Sequence, residues 1–192
     1  MGVKLSLRKR IALEIFASVR KDLAKSHDLK VLFWEATLRC NLNCRHCGSD
    51  CRAISTIPDM PAEDFLRAVD TLTPHLDPHK VLVTITGGEA LLRKDLEQIG
   101  IALRQRGYQW GIVTNGMLLD EAKMESLLRA GICAITLSLD GFEEQHNAIR
   151  RNPHSFQNAL RALRAIIKSG IRYDVVPCVT PDTFDSLPKF RD

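Results

Sequence analysis

The chain reads as an α/β protein built on a parallel sheet, and three observations predict it. From residue 31 onward, short apolar runs alternate with segments that repeat every three or four residues. The runs are apolar throughout rather than on alternate positions, which suits strands covered by helices. Three of the helical segments stop at a glycine directly before the next apolar run: Gly107, Gly131 and Gly170. Glycine readily takes the left-handed conformation that ends a helix.

In chain order, residues 1–30 predict a helix, because Ile11, Ile15, Val19 and Leu23 recur every four residues. Strands follow at 31–37, 80–86, 110–114, 132–139 and 173–179. Helices separate them near 61–75, 95–106, 120–130 and 154–169. Leu96, Ile99 and Leu103 carry the apolar face of the second of these, and Leu160, Leu163 and Ile167 that of the last. A further helix is expected to begin near Thr183–Leu187.

At 192 residues the chain has the size of one domain with a sizeable core. No run of 18 or more apolar residues predicts a membrane span. Six cysteines without a secretion signal suit a reducing compartment, so a cytoplasmic protein is expected. Residues 1–30 hold eight Lys/Arg against Glu14, Asp22 and Asp28, a local balance of +5, which leaves −1 for the rest of the +4 total. A basic amphipathic helix of this kind closes one end of a domain or meets an anionic membrane surface or an acidic partner. No nucleic-acid partner is expected.

Chemistry concentrates just after the first strand, where Cys40, Cys44 and Cys47 are spaced C-x3-C-x2-C. Three thiolates suit a cubane iron–sulfur cluster with one iron left without a protein ligand, a place where a small molecule can be held and reduced. Further on, Thr86-Gly87-Gly88-Glu89 closes the second strand and Thr114-Asn115-Gly116 the third. Ser138-Leu139-Asp140-Gly141 closes the fourth, followed by His146-Asn147-Ala148-Ile149-Arg150. All lie at C-terminal strand ends, where the loops of a parallel barrel converge.

These segments, in this order over about residues 31–181, resemble the signature of the radical S-adenosylmethionine (SAM) enzymes. The resemblance implies a partial (β/α) TIM-like barrel of six strand–helix units. Five are present here, so residues 31–192 are expected to be a core domain incomplete at its C-terminal end, preceded by the basic helical segment 1–30. It also implies a [4Fe–4S] cluster on Cys40, Cys44 and Cys47, with SAM on the open iron. One electron then cleaves SAM to methionine and a 5′-deoxyadenosyl radical that takes hydrogen from a substrate. Gly87 and Gly88 would let the backbone approach SAM, and Glu89 would suit its ammonium group. Ser138 and Arg150 match positions that contact the methionine carboxylate in the peptide-modifying branch, with Arg151 the adjacent alternative to Arg150; Asn115 is a further cofactor contact, and His46 lies where backbone nears adenine. Ala90 replaces the proline that usually follows G-G-E, and Asn147 the aspartate of H-D-x-x-R.

The Ser138–Arg150 stretch looks most like the peptide- and protein-modifying branch that often carries a SPASM domain, and the opening residues followed by the Trp34–Cys51 stretch resemble a lipoprotein-associated subgroup. A peptide or protein substrate and a flavodoxin- or ferredoxin-like electron donor follow from that likeness. A glycyl-radical-enzyme activase or a nucleoside-modifying member is the alternative enzyme. A protein of another class would bind zinc through Cys40, Cys44, Cys47 and Cys51. Whether Cys51 joins the site stays open, while Cys133 and Cys178 lie in apolar strands and read as core residues. Asp140 reads equally as a turn anchor before Gly141.

Overall fold

The computed structural model describes residues 6–191; residues 1–5 of the basic segment and Asp192 lie outside the described part. The chain divides into two units at Lys30/Val31. The first is helix α1 (Leu7–Ser26). It starts at Ser6, whose hydroxyl accepts the N–H of Lys9 at 3.4 Å, and ends where His27 turns left-handed at φ 50°. Among the described residues no helix is long and apolar enough to cross a membrane.

The second unit is a five-stranded parallel sheet in the order β1-β2-β3-β4-β5. Its strands are β1 (Val31–Thr37), β2 (Leu82–Gly87), β3 (Gln109–Thr114), β4 (Ala134–Ser138) and β5 (Arg172–Val176). Helices α2 (Ala62–Leu72), α3 (Leu96–Gln105), α4 (Glu121–Arg129) and α6 (Ser155–Ser169) connect them. Sequential parallel strands with helical crossovers make the wall of a (β/α) barrel, as the sequence predicts.

Three differences from expectation have local causes. Strand β5 stops at Val176 because Pro177 has no N–H to continue the ladder. Strand β2 starts late because Pro78–Lys80 forms a 3₁₀ turn. An additional helix, α5 (Glu143–Arg150), follows β4; its buried residues are His146 and Arg150, so apolar periodicity could not reveal it. Short helices α7 (Pro181–Phe184) and α8 (Leu187–Arg191) close the described chain.

The register explains where the core sits. Trp34, Ile85, Ile112 and Ile135 lie side by side on successive strands and are buried under the helices. Trp34 stacks on Phe65 of α2 with ring centroids 3.7 Å apart. Trp110 fills the space beside Gly100 of α3, where a Cβ would stand 2.2 Å from its ring. The opposite face of the sheet carries Phe33, Thr84, Gly111, Ala134 and Arg172 in one row. That row is polar or small beyond Phe33, so the apolar core is built on the other face of the sheet.

Candidate active site at the strand ends

The chain leaves β1 and folds back on itself. The N–H of Cys40 donates to the Arg52 carbonyl at 2.7 Å, and the N–H of Arg52 to that of Leu38 at 3.3 Å. Arg93, buried after β2, fixes the base of this excursion by donating to the carbonyls of Ala36 (2.8 Å) and Met60 (3.1 Å). The fold-back brings Cys51 beside the first three cysteines. All four line one cavity of about 710 Å³, counted out to its mouth.

Burial pushes the Cys40 and Cys44 thiols up, while Arg150 draws Cys44 back down. Cys51 is raised furthest, to about 11, by burial and by its thiol neighbours Cys47 and Cys40. Among the described residues no three Cys, His, Asp or Glu side chains meet closely enough to hold one ion. A cubane takes one thiolate per iron, so its ligands stand round a space rather than at a point.

Gly87 and Gly88 form the wall next to Cys40, and strand packing supplies a reason for glycine at both. A Cβ at Gly87 would lie 2.2 Å from the Thr37 carbonyl oxygen, and one at Gly88 2.2 Å from that of Arg39. The glycines thus let the end of β2 press against the end of β1. The N–H groups of Gly88 and Glu89 donate across the gap to Thr37 (2.7 Å) and Arg39 (2.9 Å).

Glu89 turns away from the cavity and is 1% exposed. Its Oε1 accepts from the Leu91 N–H (3.1 Å) and the Thr114 hydroxyl (2.8 Å), and its Oε2 from the Asn115 N–H (2.8 Å). Burial pushes its carboxyl up against these bonds. Asn115 in turn donates from Nδ2 to Asn41 Oδ1 at 2.8 Å and contacts Cys40 Sγ at 3.8 Å. Glu89 is therefore a buried brace between the ends of β2 and β3, and Asn115 carries that brace to the first cysteine.

On the far wall, Ser138, His46 and Arg150 also line the cavity. Arg150 Nε donates to Asp140 Oδ2 at 2.7 Å, and the Cys178 N–H donates to Asp140 Oδ1 at 3.0 Å. Burial alone would push the Asp140 carboxyl up, but the Arg150 guanidinium holds it below the usual range. His46 Nε2 stands 3.7 Å from the same carboxylate. The Asp140 N–H donates to His146 Nδ1 at 3.0 Å, which fixes His146 as a neutral acceptor.

Nine of the ten residues singled out from sequence thus line one cavity: Cys40, Cys44, Cys47, His46, Gly87, Gly88, Asn115, Ser138 and Arg150. Glu89 sits behind its wall. Cys51, Thr114 and Asp140 belong to the same assembly. Asp140 was visible in sequence only as the residue before Gly141, and nothing in the pattern points to Arg93.

The arrangement fits a cluster and SAM together. Three thiols surround a space, a guanidinium faces it as a partner for a carboxylate, and exposed backbone at Gly87–Gly88 borders it.

Sequence comparison agrees with the geometry. Residues 34–192 match the model of the Radical SAM superfamily. The Fe-coproporphyrin III synthase of Methanosarcina barkeri is 29% identical over 84% of this chain and 40% of its own length. The PqqA peptide cyclase of Granulibacter bethesdensis is 29% identical over 84% of this chain and 42% of its own. Among solved structures, native anSMEcpe with bound AdoMet superposes with a TM-score of 0.70 at 24% identity, over 84% of this chain and 46% of that one. The chain thus spans less than half the length of these relatives. With the matched region covering all but the first three residues of the strand–helix unit and the four motifs gathered around one cavity, the chain belongs to the Radical SAM superfamily.

Proposed function

We propose that this chain is the core of an enzyme that cleaves SAM reductively in order to take hydrogen from a peptide or protein. The observation that carries the reading is the convergence of four strand ends on a cavity lined by Cys40, Cys44, Cys47, Gly88, Ser138 and Arg150. Cys40, Cys44 and Cys47 would hold a [4Fe–4S] cluster. When bound, the cluster and SAM supply one-electron chemistry that the protein's side chains lack.

The protein's part is to bind and orient. Arg150 offers its terminal nitrogens to the methionine carboxylate, with Ser138 beside it. Carbonyls of Gly87–Gly88 accept from the methionine ammonium. Because Glu89 is fully engaged inside, it positions this segment and Asn115 instead of contacting the ligand. His46 borders the adenine side.

The peptide substrate, membership of the SPASM-bearing branch and a flavodoxin- or ferredoxin-like electron donor belong to this proposal, as do a cytoplasmic setting and residues 31–192 as its catalytic domain. Likeness to a peptide cyclase supports the substrate class. Equal likeness to an Fe-coproporphyrin III synthase favours a second reading, a tetrapyrrole substrate. A zinc-binding role leaves the Glu89–Asn115 brace and the Asp140–Arg150 pair without a purpose.

The test is anaerobic reconstitution followed by electron paramagnetic resonance of the reduced protein with and without SAM. A spectrum altered by SAM is expected, and an unaltered one sinks the proposal. Stimulation of 5′-deoxyadenosine release by peptides rather than by a tetrapyrrole precursor of iron coproporphyrin separates the two substrates.

A further inference from the structure

Arg150 joins two parts of the site that the motifs alone keep separate. Besides its bond to Asp140, Arg150 lines the same cavity as Cys44, and its positive charge acts on that thiol. A backbone bond holds the two residues near each other. The N–H of Arg45, next to Cys44, donates to the carbonyl of Ile149, next to Arg150, at 2.9 Å. Asp140 is anchored in turn by the Cys178 N–H after β5. Asp140 is 2% and Arg150 8% exposed, so water screens the pair little. An arginine keeps its charge at any working pH and has donors left over once Nε is engaged.

We propose that the Asp140–Arg150 pair sets the reduction potential of the cluster held through Cys44. This rests on the reading of Cys40, Cys44 and Cys47 as ligands. Reduction adds one negative charge to a cluster, and its potential responds to hydrogen bonds at the ligand sulfurs and to nearby charge. Arg150 sets a positive charge beside Cys44 and thereby favours the reduced state. Asp140 orients the guanidinium through Nε and offsets part of its charge. Both act as positioning residues through Cys44, a role separate from any contact of Arg150 with SAM.

The experiment is a reductive titration of the reconstituted protein without SAM, followed by visible absorption and electron paramagnetic resonance. Arg150→Gln is expected to shift the potential to more negative values, and Asp140→Asn to more positive ones. Arg150→Lys, which keeps the charge, stays closer to the unsubstituted protein than Arg150→Gln. Opposite signs are the diagnostic, because a merely loosened site moves both variants the same way. Equal potentials, or shifts of one sign, overturn the proposal. Should Arg150→Gln take up no cluster, Asp140→Asn decides: it is isosteric and can retain one of the two acceptor bonds, and an unchanged or more negative potential refutes the pair's role. A wild-type chain that assembles no cluster overturns the ligand reading first, before any potential is read.

Discussion

Glu89 Oε2 accepts the backbone N–H of Asn115 at 2.8 Å, tying the end of β2 to the end of β3 behind the cavity wall. With Leu91 and Thr114 as its other donors, this one carboxylate satisfies three buried groups. An acid that the sequence suggests for a cationic ligand instead braces the cavity-lining segment Gly87–Gly88.

Glu89→Ala should therefore act on the fold before it acts on SAM. Each buried donor left without a partner costs about 1–3 kcal/mol. A loss of at least that size is expected in urea unfolding of the cluster-free protein, where no ligand contributes. An unchanged midpoint there, with SAM affinity lowered in the loaded protein, would return Glu89 to the ligand.

Much of this was legible in sequence, and the exceptions share a cause. Strand β1 and helices α2, α3, α4 and α6 bury apolar stripes, and periodicity reports those directly. Helix α5 buries His146 and Arg150 instead, so its pattern looks like a polar loop. The same holds for the site. Spacing identifies Cys40, Cys44 and Cys47, but the fold-back through Arg52 that sets Cys51 beside them depends on backbone bonds that no residue type announces. Arg93, with its guanidinium 5.0 Å over the Trp34 ring, is equally silent.

The cysteine assignment predicts iron content. Reconstituted protein should hold about four irons per chain. Cys40→Ala, Cys44→Ala and Cys47→Ala should each lose the cluster's visible absorption. Cys51→Ala should keep it, since three thiolates suffice and the buried Cys51 thiol, raised to about 11, favours its protonated form. Loss of the cluster in Cys51→Ala with retention in Cys40→Ala would reverse the assignment.

His146 predicts a pH dependence. Its Nδ1 accepts the Asp140 N–H, and its Nε2 is buried without a hydrogen-bond partner among the described residues. Burial, then the nearby Arg150 charge, lowers its pKa to about 4, against the opposing pull of Asp140 and with a small push from His46. The unfolded chain protonates this ring near pH 6.5, so between about 6.5 and 4 it binds more protons than the folded one. Stability is thus full above that window and falls as pH drops through it, by up to about 3 kcal/mol. Urea unfolding at pH 7.5, 6 and 5 reads the slope, and His146→Gln should flatten it. A slope equal in both proteins would show that the ring already titrates normally in the fold.

Two glycines of the cavity wall separate packing from chemistry. A Cβ at Gly88 would lie 2.2 Å from the Arg39 carbonyl oxygen and 3.1 Å from Cys40 Cβ, both on the segment that carries the first cysteine. Neither obstacle is the far end of a flexible side chain, so the end of β2 must move away from β1. The bonds from Gly88 to Thr37 and from Glu89 to Arg39 then stretch. Gly48 lines the same cavity, yet a Cβ there meets nothing within 4 Å. Gly88→Ala should lower stability by about 1–3 kcal/mol, the usual cost of overpacking, and reduce the iron retained after desalting. Gly48→Ala should stay within about 0.5 kcal/mol of the parent, so that any change it makes in SAM binding reports crowding in the cavity alone. Comparable stability losses in the two variants would mean that the tight approach of β2 to β1 at Gly88 does not hold the site together.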